Sequence, residues 1–244
     1  MLEIDGPYDV GVSYFRSDTL GNQCTAIYPI DHGQDLQEAP YLNGAGEIEG
    51  RRRISQASDG WFYLPTWLKI KPMTRLSTGL FLKGKFASDI KKVRPIIFSH
   101  GLTASNYSYT GLARELAAHG YMVILPQHQD GSCTYTKTKE GKEIYGKWPA
   151  PDGWHDKPLR SKQLNIRVSE ITALVEEFRN MTPELHLSIF GLENADVKID
   201  MNELVLSGHS FGGITAVTTG STLKTQPKAV VVYDPWFFPN CELW

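Results

Sequence analysis

The chain has 244 residues, 41% hydrophobic and 21% charged, with a formal net charge of −2. That balance excludes collagen, a coiled coil and a wholly disordered chain. The length implies one large domain or two small ones, and no overall basic excess points to nucleic acid as a partner.

In chain order, 10–15 (VGVSYF) and 23–28 (QCTAIY) alternate as strands, with a turn-rich 17–22 between them. Residues 31–60 are polar and glycine-bearing and read as a loop, part of an insertion expected over 31–90. Val93–Ser99 is a short apolar run, fit for a strand buried on both faces. Tyr109–His119 follows with helical spacing and stops at Gly120, a C-cap residue. Tyr121–Pro126 is a second buried strand, and 127–160, rich in glycine and proline, reads as a long lid-like loop. From Ser161 to Met181, Leu164, Val168, Ile171, Val175 and Phe178 recur at helical steps. Glu203–Leu206 is a strand, Ile214–Ser221 a helix and Lys228–Tyr233 a strand. Alternating strands and helices predict a single α/β domain over 1–244, with a mainly parallel sheet covered on both faces.

Charge is unevenly spread. Residues 1–50 hold nine acids and one base, Arg16, whereas 51–94 hold eleven bases and two acids, Asp59 and Asp89. Within the basic stretch lies Trp61-Phe62-Tyr63-Leu64-Pro65-Thr66-Trp67-Leu68. Rings among cations can rest at the headgroup level of a lipid surface, so 61–94 is a candidate for peripheral lipid contact. Equally, the rings can be core and the bases a solvated face. No apolar run approaches the ~18 residues of a membrane span. The opening MLEIDGPYDV lacks the basic and apolar regions of a secretory signal, so a cytoplasmic location is expected. Cys24, Cys133 and Cys241 are odd in number, far apart and without a CxxC pair, which argues against a disulfide framework or a zinc site. No metal or other cofactor is expected.

The chemistry gathers in Glu203–Gly213, ELVLSGHSFGG. Gly208-His209-Ser210-Phe211-Gly212 fits G-x-S-x-G, with an apolar strand before it and small, helix-compatible residues after it. That context is a nucleophile elbow, which sets a serine on a sharp strand-to-helix turn above an α/β-hydrolase sheet. Gly208 and Gly212 let strand and helix approach closely, and the helix N-terminus favours a developing negative charge. A serine needs a base, and the base an orienting acid. Asp234, 24 residues beyond Ser210 at the end of the next strand, is the candidate acid. His100-Gly101-Leu102 follows an early strand, where this fold places its second oxyanion donor. The backbone N–H groups of Leu102 and Phe211 are therefore the candidate oxyanion pair, and His100 reads as a bracing residue.

Three segments carry a family resemblance: FSHGL at Phe98–Leu102, SGHSFGG at Ser207–Gly213 and YDPWFFP at Tyr233–Pro239. Together with GPYDVG at Gly6–Gly11 and LAAHGYMVILPQHQDGS at Leu116–Ser132, they resemble the platelet-activating-factor acetylhydrolases. The resemblance implies an α/β-hydrolase fold and a serine-dependent, metal-independent phospholipase. It implies Ser210 as nucleophile, Asp234 as triad acid, Leu102 and Phe211 as oxyanion donors, and His128 and Asp130 as a structural turn. The implied substrate is a phospholipid with a short or oxidised sn-2 acyl chain, cleaved through an acyl-enzyme.

One feature departs from that family. Its catalytic histidine follows the aspartate, yet here all seven histidines (32, 100, 119, 128, 155, 186 and 209) precede Asp234. The expectation is that the sequence is part of a longer hydrolase, whose last strands, C-terminal helix and histidine lie beyond Trp244. The alternatives are a non-catalytic lipid-binding relative and a general short-chain ester hydrolase.

Overall fold

The computed structural model describes residues 5–42, 44–57, 76–146, 155–181 and 197–240. The aromatic cluster 61–68, Lys69, Lys71, Arg75, His186 and Cys241 lie outside those residues.

The chain opens with an antiparallel hairpin, β1 (Asp9–Arg16) against β2 (Gln23–Ile30), paired from Asp9↔Ile30 to Arg16↔Gln23. Three apolar runs then form β4 (Lys92–Ser99), β5 (Tyr121–Pro126) and β9 (Val205–His209), and β10 (Ala229–Tyr233) follows. Two-residue strands β3 (Phe81–Leu82) and β8 (Lys198–Ile199) add to β1 and β4. The sheet order is β10-β9-β4-β5-β2-β1-β3. Pairing from β5 through β10 is parallel, and the hairpin joins antiparallel through β2.

Side chains of a strand alternate between faces, so β4 and β5 feed two cores. Ile97, Met122 and Ile124 face one; Ile96, Phe98, Val123 and Leu125 face the other. Helix α2 (Thr110–Ala118) covers the second core with Ala113, Ala117 and Ala118. Helices α3 (Lys157–Asn180) and α4 (Phe211–Thr222) cover the first with Ile171, Leu174, Val175, Phe178 and Ala216. Each fully buried aliphatic or aromatic side chain contributes about 1.5–3 kcal/mol. Thus the strands, the helices on both faces and the mainly parallel sheet of an α/β-hydrolase fold are present.

Two segments read as loops are ordered otherwise. Within 31–60 lies helix α1 (Ala45–Ala57). Glu47 pairs with Arg51 (3.3 Å), and Glu49 with Arg52 (2.6 Å) and Arg53 (2.9 Å), at helical spacing. Its glycines are packing contacts rather than breakers. A Cβ at Gly46 would overlap the Tyr135 ring, and one at Gly50 would lie 2.6 Å from the Thr134 carbonyl oxygen. Within 127–160 lies a second hairpin, β6 (Tyr135–Lys137) with β7 (Glu143–Tyr145). Helix α3 also starts four residues before Ser161, because Asp156 caps it by accepting from Leu159 N–H (2.9 Å) and Pro158 sits in its first turn.

Among the described residues, nothing pairs with the outer edge of β10, where Val230, Val231 and Tyr233 are exposed. No helix among them is long and apolar enough to cross a membrane.

Candidate active site

β9 runs into α4 without a linker, and Ser210 is the hinge. Its φ of 55° and ψ of −118° lie in a region that L-residues rarely occupy. Helix α4 starts at Phe211, three residues earlier than its apolar pattern suggests. The flanking glycines make the bend possible. A Cβ on Gly212 would overlap the Ser99 carbonyl and come within 2.8 Å of the His100 oxygen; one on Gly208 would lie 2.9 Å from the Ser99 oxygen. Strand β4 therefore presses directly against the elbow.

Asp234 comes to the same place. Ser210 N–H donates to the Tyr233 carbonyl (3.1 Å), and Trp236 N–H donates to the Ser210 carbonyl (2.9 Å), so the turn after β10 is tied to the elbow on both sides of Asp234. The Asp234 carboxylate is exposed, on a backbone with φ of 41°. Phe211 is the first residue of α4, where helix geometry leaves an N–H without an intrahelical acceptor. Leu102 packs against a small cluster of Leu164, Phe211 and Ile214, together with Trp236 and Phe237. Tyr109 fastens its loop to the elbow: the hydroxyl accepts from Gly101 N–H (3.0 Å) and lies 2.9 Å from His209 Nδ1. The structure thus brings Ser210, Asp234, Leu102 and Phe211 to the carboxyl ends of β4, β9 and β10, where open parallel sheets build sites.

Beneath the elbow lies a polar layer, in which the expected structural residues His100, His128 and Asp130 are joined by Ser99, Arg167 and Glu170, which sequence reasoning missed. Ser99 Oγ is 2.8 Å from His128 Nε2, and His128 Nδ1 is 2.6 Å from Glu170 Oε2. The order is serine, histidine, carboxylate, but the three are buried, at 1%, 0% and 7% exposure, and the chain of bonds acts as a brace beneath the elbow. Burial, with Asp130 nearby, pushes the Glu170 carboxyl up to about 7. Burial, then the Arg167 charge, holds both His128 and His100 well below the usual histidine range. Although burial opposes ionisation of Asp130, the Arg167 charge keeps its carboxyl below the usual range. His100 is buried, with Nδ1 2.8 Å from the Gly101 oxygen and Nε2 accepting from His128 N–H (3.3 Å). The signal for this layer was present: Arg160, Gln163, Arg167 and Glu170 follow helical spacing beside the apolar stripe of α3, and all four are buried.

Among the described residues no histidine hydrogen-bonds Ser210 or Asp234. His32 pairs with Asp9 (3.0 Å), His119 with Glu115 (3.8 Å), and His155 meets the ring of Phe238. Nor does any group of His, Cys, Asp and Glu among them have the spacing of a metal site. A groove of about 660 Å³ between Leu20 and Asn22 on one side and Lys162, Ile166 and Glu170 on the other does not include Ser210.

Known proteins resemble this chain in sequence and in fold. A sequence model of the family described as "Platelet-activating factor acetylhydrolase, isoform II" matches residues 1–243. The platelet-activating factor acetylhydrolase of Bos taurus is 34% identical over 96% of this chain and 55% of its own length. A putative phospholipase A2 of Schizosaccharomyces pombe is 27% identical, over 89% of this chain and 57% of its own. The chain therefore spans about half the length of these curated relatives. A ferulic acid esterase from Streptomyces cinnamoneus superposes with a TM-score of 0.63 at 15% identity, covering 92% of this chain and 59% of that one, a likeness of fold. Matched along nearly all of its length, the chain belongs to the platelet-activating factor acetylhydrolase family, isoform II.

Proposed function

We propose that this chain carries the nucleophile, acid and oxyanion donors of a serine esterase. Its substrate is the sn-2 ester of a phospholipid with a short or oxidised acyl chain. The observation that carries the reading is the backbone of Ser210, held in a strained conformation between β9 and α4 with Gly208 and Gly212 pressed against Ser99. Strain of this kind persists where surrounding structure enforces it, as at active sites. The family supports the ester-hydrolysing chemistry.

Ser210 Oγ attacks the ester carbonyl while a histidine takes its proton. That histidine lies outside the described residues, since those described are engaged elsewhere. Asp234 orients the histidine and stabilises its cation. The N–H groups of Leu102 and Phe211 hold the tetrahedral oxyanion, each donor contributing about 10²–10³ in rate. The histidine then protonates the departing lyso-lipid, and water releases the acyl group from Ser210. The apolar Leu102, Trp236 and Phe237 beside the elbow suit an acyl chain. Residues 61–94 dock the enzyme on lipid; charge reversal at Lys83 and Lys85 that leaves vesicle binding unchanged would count against that docking.

The test is reaction of the full-length protein with a fluorophosphonate probe. Labelling at Ser210, lost in Ser210→Ala, is expected. Unlabelled Ser210 in folded protein would favour the second reading, a lipid-binding relative without catalysis, for which the absence of a histidine partner among the described residues speaks. Short- and long-chain sn-2 phospholipids assayed beside simple esters separate the phospholipase from a general esterase.

A further inference from the structure

We propose that Arg167 is the positioning residue of the oxyanion hole, joining the loop that carries Leu102 to the residue Phe211 in one rigid unit. The inference rests on the esterase reading above.

Arg167 is wholly buried, in the middle of α3. Burying a guanidinium is costly unless its donors are satisfied. One carboxylate would balance the charge, and Asp130 does so, with Oδ2 accepting from Nε at 2.7 Å. The remaining contacts reach further. Nη1 donates to the His100 carbonyl (2.6 Å), and Nη2 donates to Ser132 Oγ (2.5 Å). The central carbon of the guanidinium lies over the Phe211 ring, 4.5 Å from its centre. Thus one planar group holds the ends of three strands: β4 through His100, β5 through the 130–132 turn, and β9 through Phe211.

These contacts bracket both proposed donors. Leu102 is two residues after His100, and the next residue, Thr103, donates its N–H to the Ser132 carbonyl (2.8 Å). The residues on either side of the Gly101–Leu102 turn are therefore anchored to Arg167 or to its partner Ser132. Phe211 is anchored through its own ring. Displacing a donor by even a fraction of an ångström weakens a bond that matters most in the transition state. Lysine is no substitute, because a point charge has neither the fork nor the plane.

The experiment uses full-length protein and compares wild type, Arg167→Lys and Ser132→Ala, with folding checked by circular dichroism and active sites titrated with a fluorophosphonate. The substrate is p-nitrophenyl acetate. The second probe is a trifluoromethyl ketone, on which Ser210 Oγ adds to the carbonyl carbon and the carbonyl oxygen becomes the oxyanion. For Arg167→Lys, kcat per titrated site should fall about 10- to 100-fold, with KM within about twofold. Ketone affinity should fall by the same factor as kcat/KM. Ser132→Ala, which removes one partner and keeps the ion pair, should show the same parallel with a loss of about 3- to 10-fold. A merely structural role would lower the number of titrated sites and leave kcat per site alone. Unchanged kcat per site in a folded Arg167→Lys, or a kcat loss without the ketone effect, overturns the proposal. Should Arg167→Lys fail to fold, Ser132→Ala decides alone by the same criteria. A wild type that neither turns over ester nor is labelled at Ser210 refutes the esterase reading, and this inference with it. A labelled, active wild type with indifferent variants refutes only the role of Arg167.

Discussion

Replacing Ser210 by glycine should make the protein more stable while destroying the proposed nucleophile. At φ 55° and ψ −118°, Ser210 sits where only glycine is at ease. Such a conformation costs about 1–3 kcal/mol for a residue with a Cβ. Glycine removes that cost but loosens the unfolded chain, which costs about 0.4–1 kcal/mol. The side chain of Ser210 does not cap α4, so little else is lost. The net gain lies between about 0 and 2.6 kcal/mol, about 1 kcal/mol at mid-range. Ser210→Ala is the control, since alanine keeps the Cβ and therefore the strain, and should lie close to wild type. Urea unfolding of the three proteins, compared at a common slope, measures the difference. In a thermal melt of a chain this size, each kcal/mol corresponds to about 2–4 °C. If Ser210→Gly is no more stable than Ser210→Ala, the elbow is not strained and the argument drawn from its backbone fails.

Two glycine substitutions should act in opposite directions. Gly212→Ala sets a methyl group into the backbone of Ser99 and should cost about 1–3 kcal/mol, whereas Gly111→Ala, exposed in α2 with no atom within 4 Å of the new Cβ, should gain up to about 1 kcal/mol; denaturation midpoints read both. Glu170→Gln should change the pH dependence of stability. Because burial raises the folded-state pKa of Glu170 to about 7, above the 4.5 of an ordinary glutamate, its favourable contribution is full below about 4.5 and lost as pH rises through 7. Glutamine mimics the protonated acid, so the variant should gain on wild type between pH 5 and 8, and parallel stability curves would contradict this. Tyr109→Phe strips the Gly101 N–H of its acceptor and should cost about 1 kcal/mol in stability, measured by the same unfolding titration.

Periodicity made the sheet legible. The runs at 93–99 and 121–126 are apolar because both faces of those strands are largely covered, whereas the run at 228–233 keeps Val230, Val231 and Tyr233 exposed; the ends of all three fall within a residue or two of the observed strands. The elbow was legible because the glycines flanking Ser210 answer a steric demand that few other residues meet. Helix α1 was not, since Gly46 and Gly50 act there as contact surfaces for Tyr135 and Thr134, and sequence cannot tell a glycine that breaks a helix from one that seats it. The polar layer was hidden for a related reason. Arg167 and Glu170 look like the solvated side of an amphipathic helix, and only their partners, Asp130 and His128 on a distant loop, show that they point inward.

Helix α3 also limits where the chain can change length. Its 24 residues span about 36 Å. At its middle it holds the loops around the elbow through Arg167 and Glu170, and near its end Glu177 accepts from Ser17 Oγ (2.6 Å) and Asp18 N–H (3.0 Å) at the turn between β1 and β2. Inserting or deleting one residue between positions 170 and 177 would turn one set of contacts about 100° away from the other. Both ends cannot then be satisfied together. Loops bordering the helix can lengthen at small entropic cost, but the interval from Arg167 to Glu177 acts as a fixed gauge between the two halves of the sheet. Relatives that keep both anchor points are expected to vary in length outside this interval and to conserve the count of residues within it.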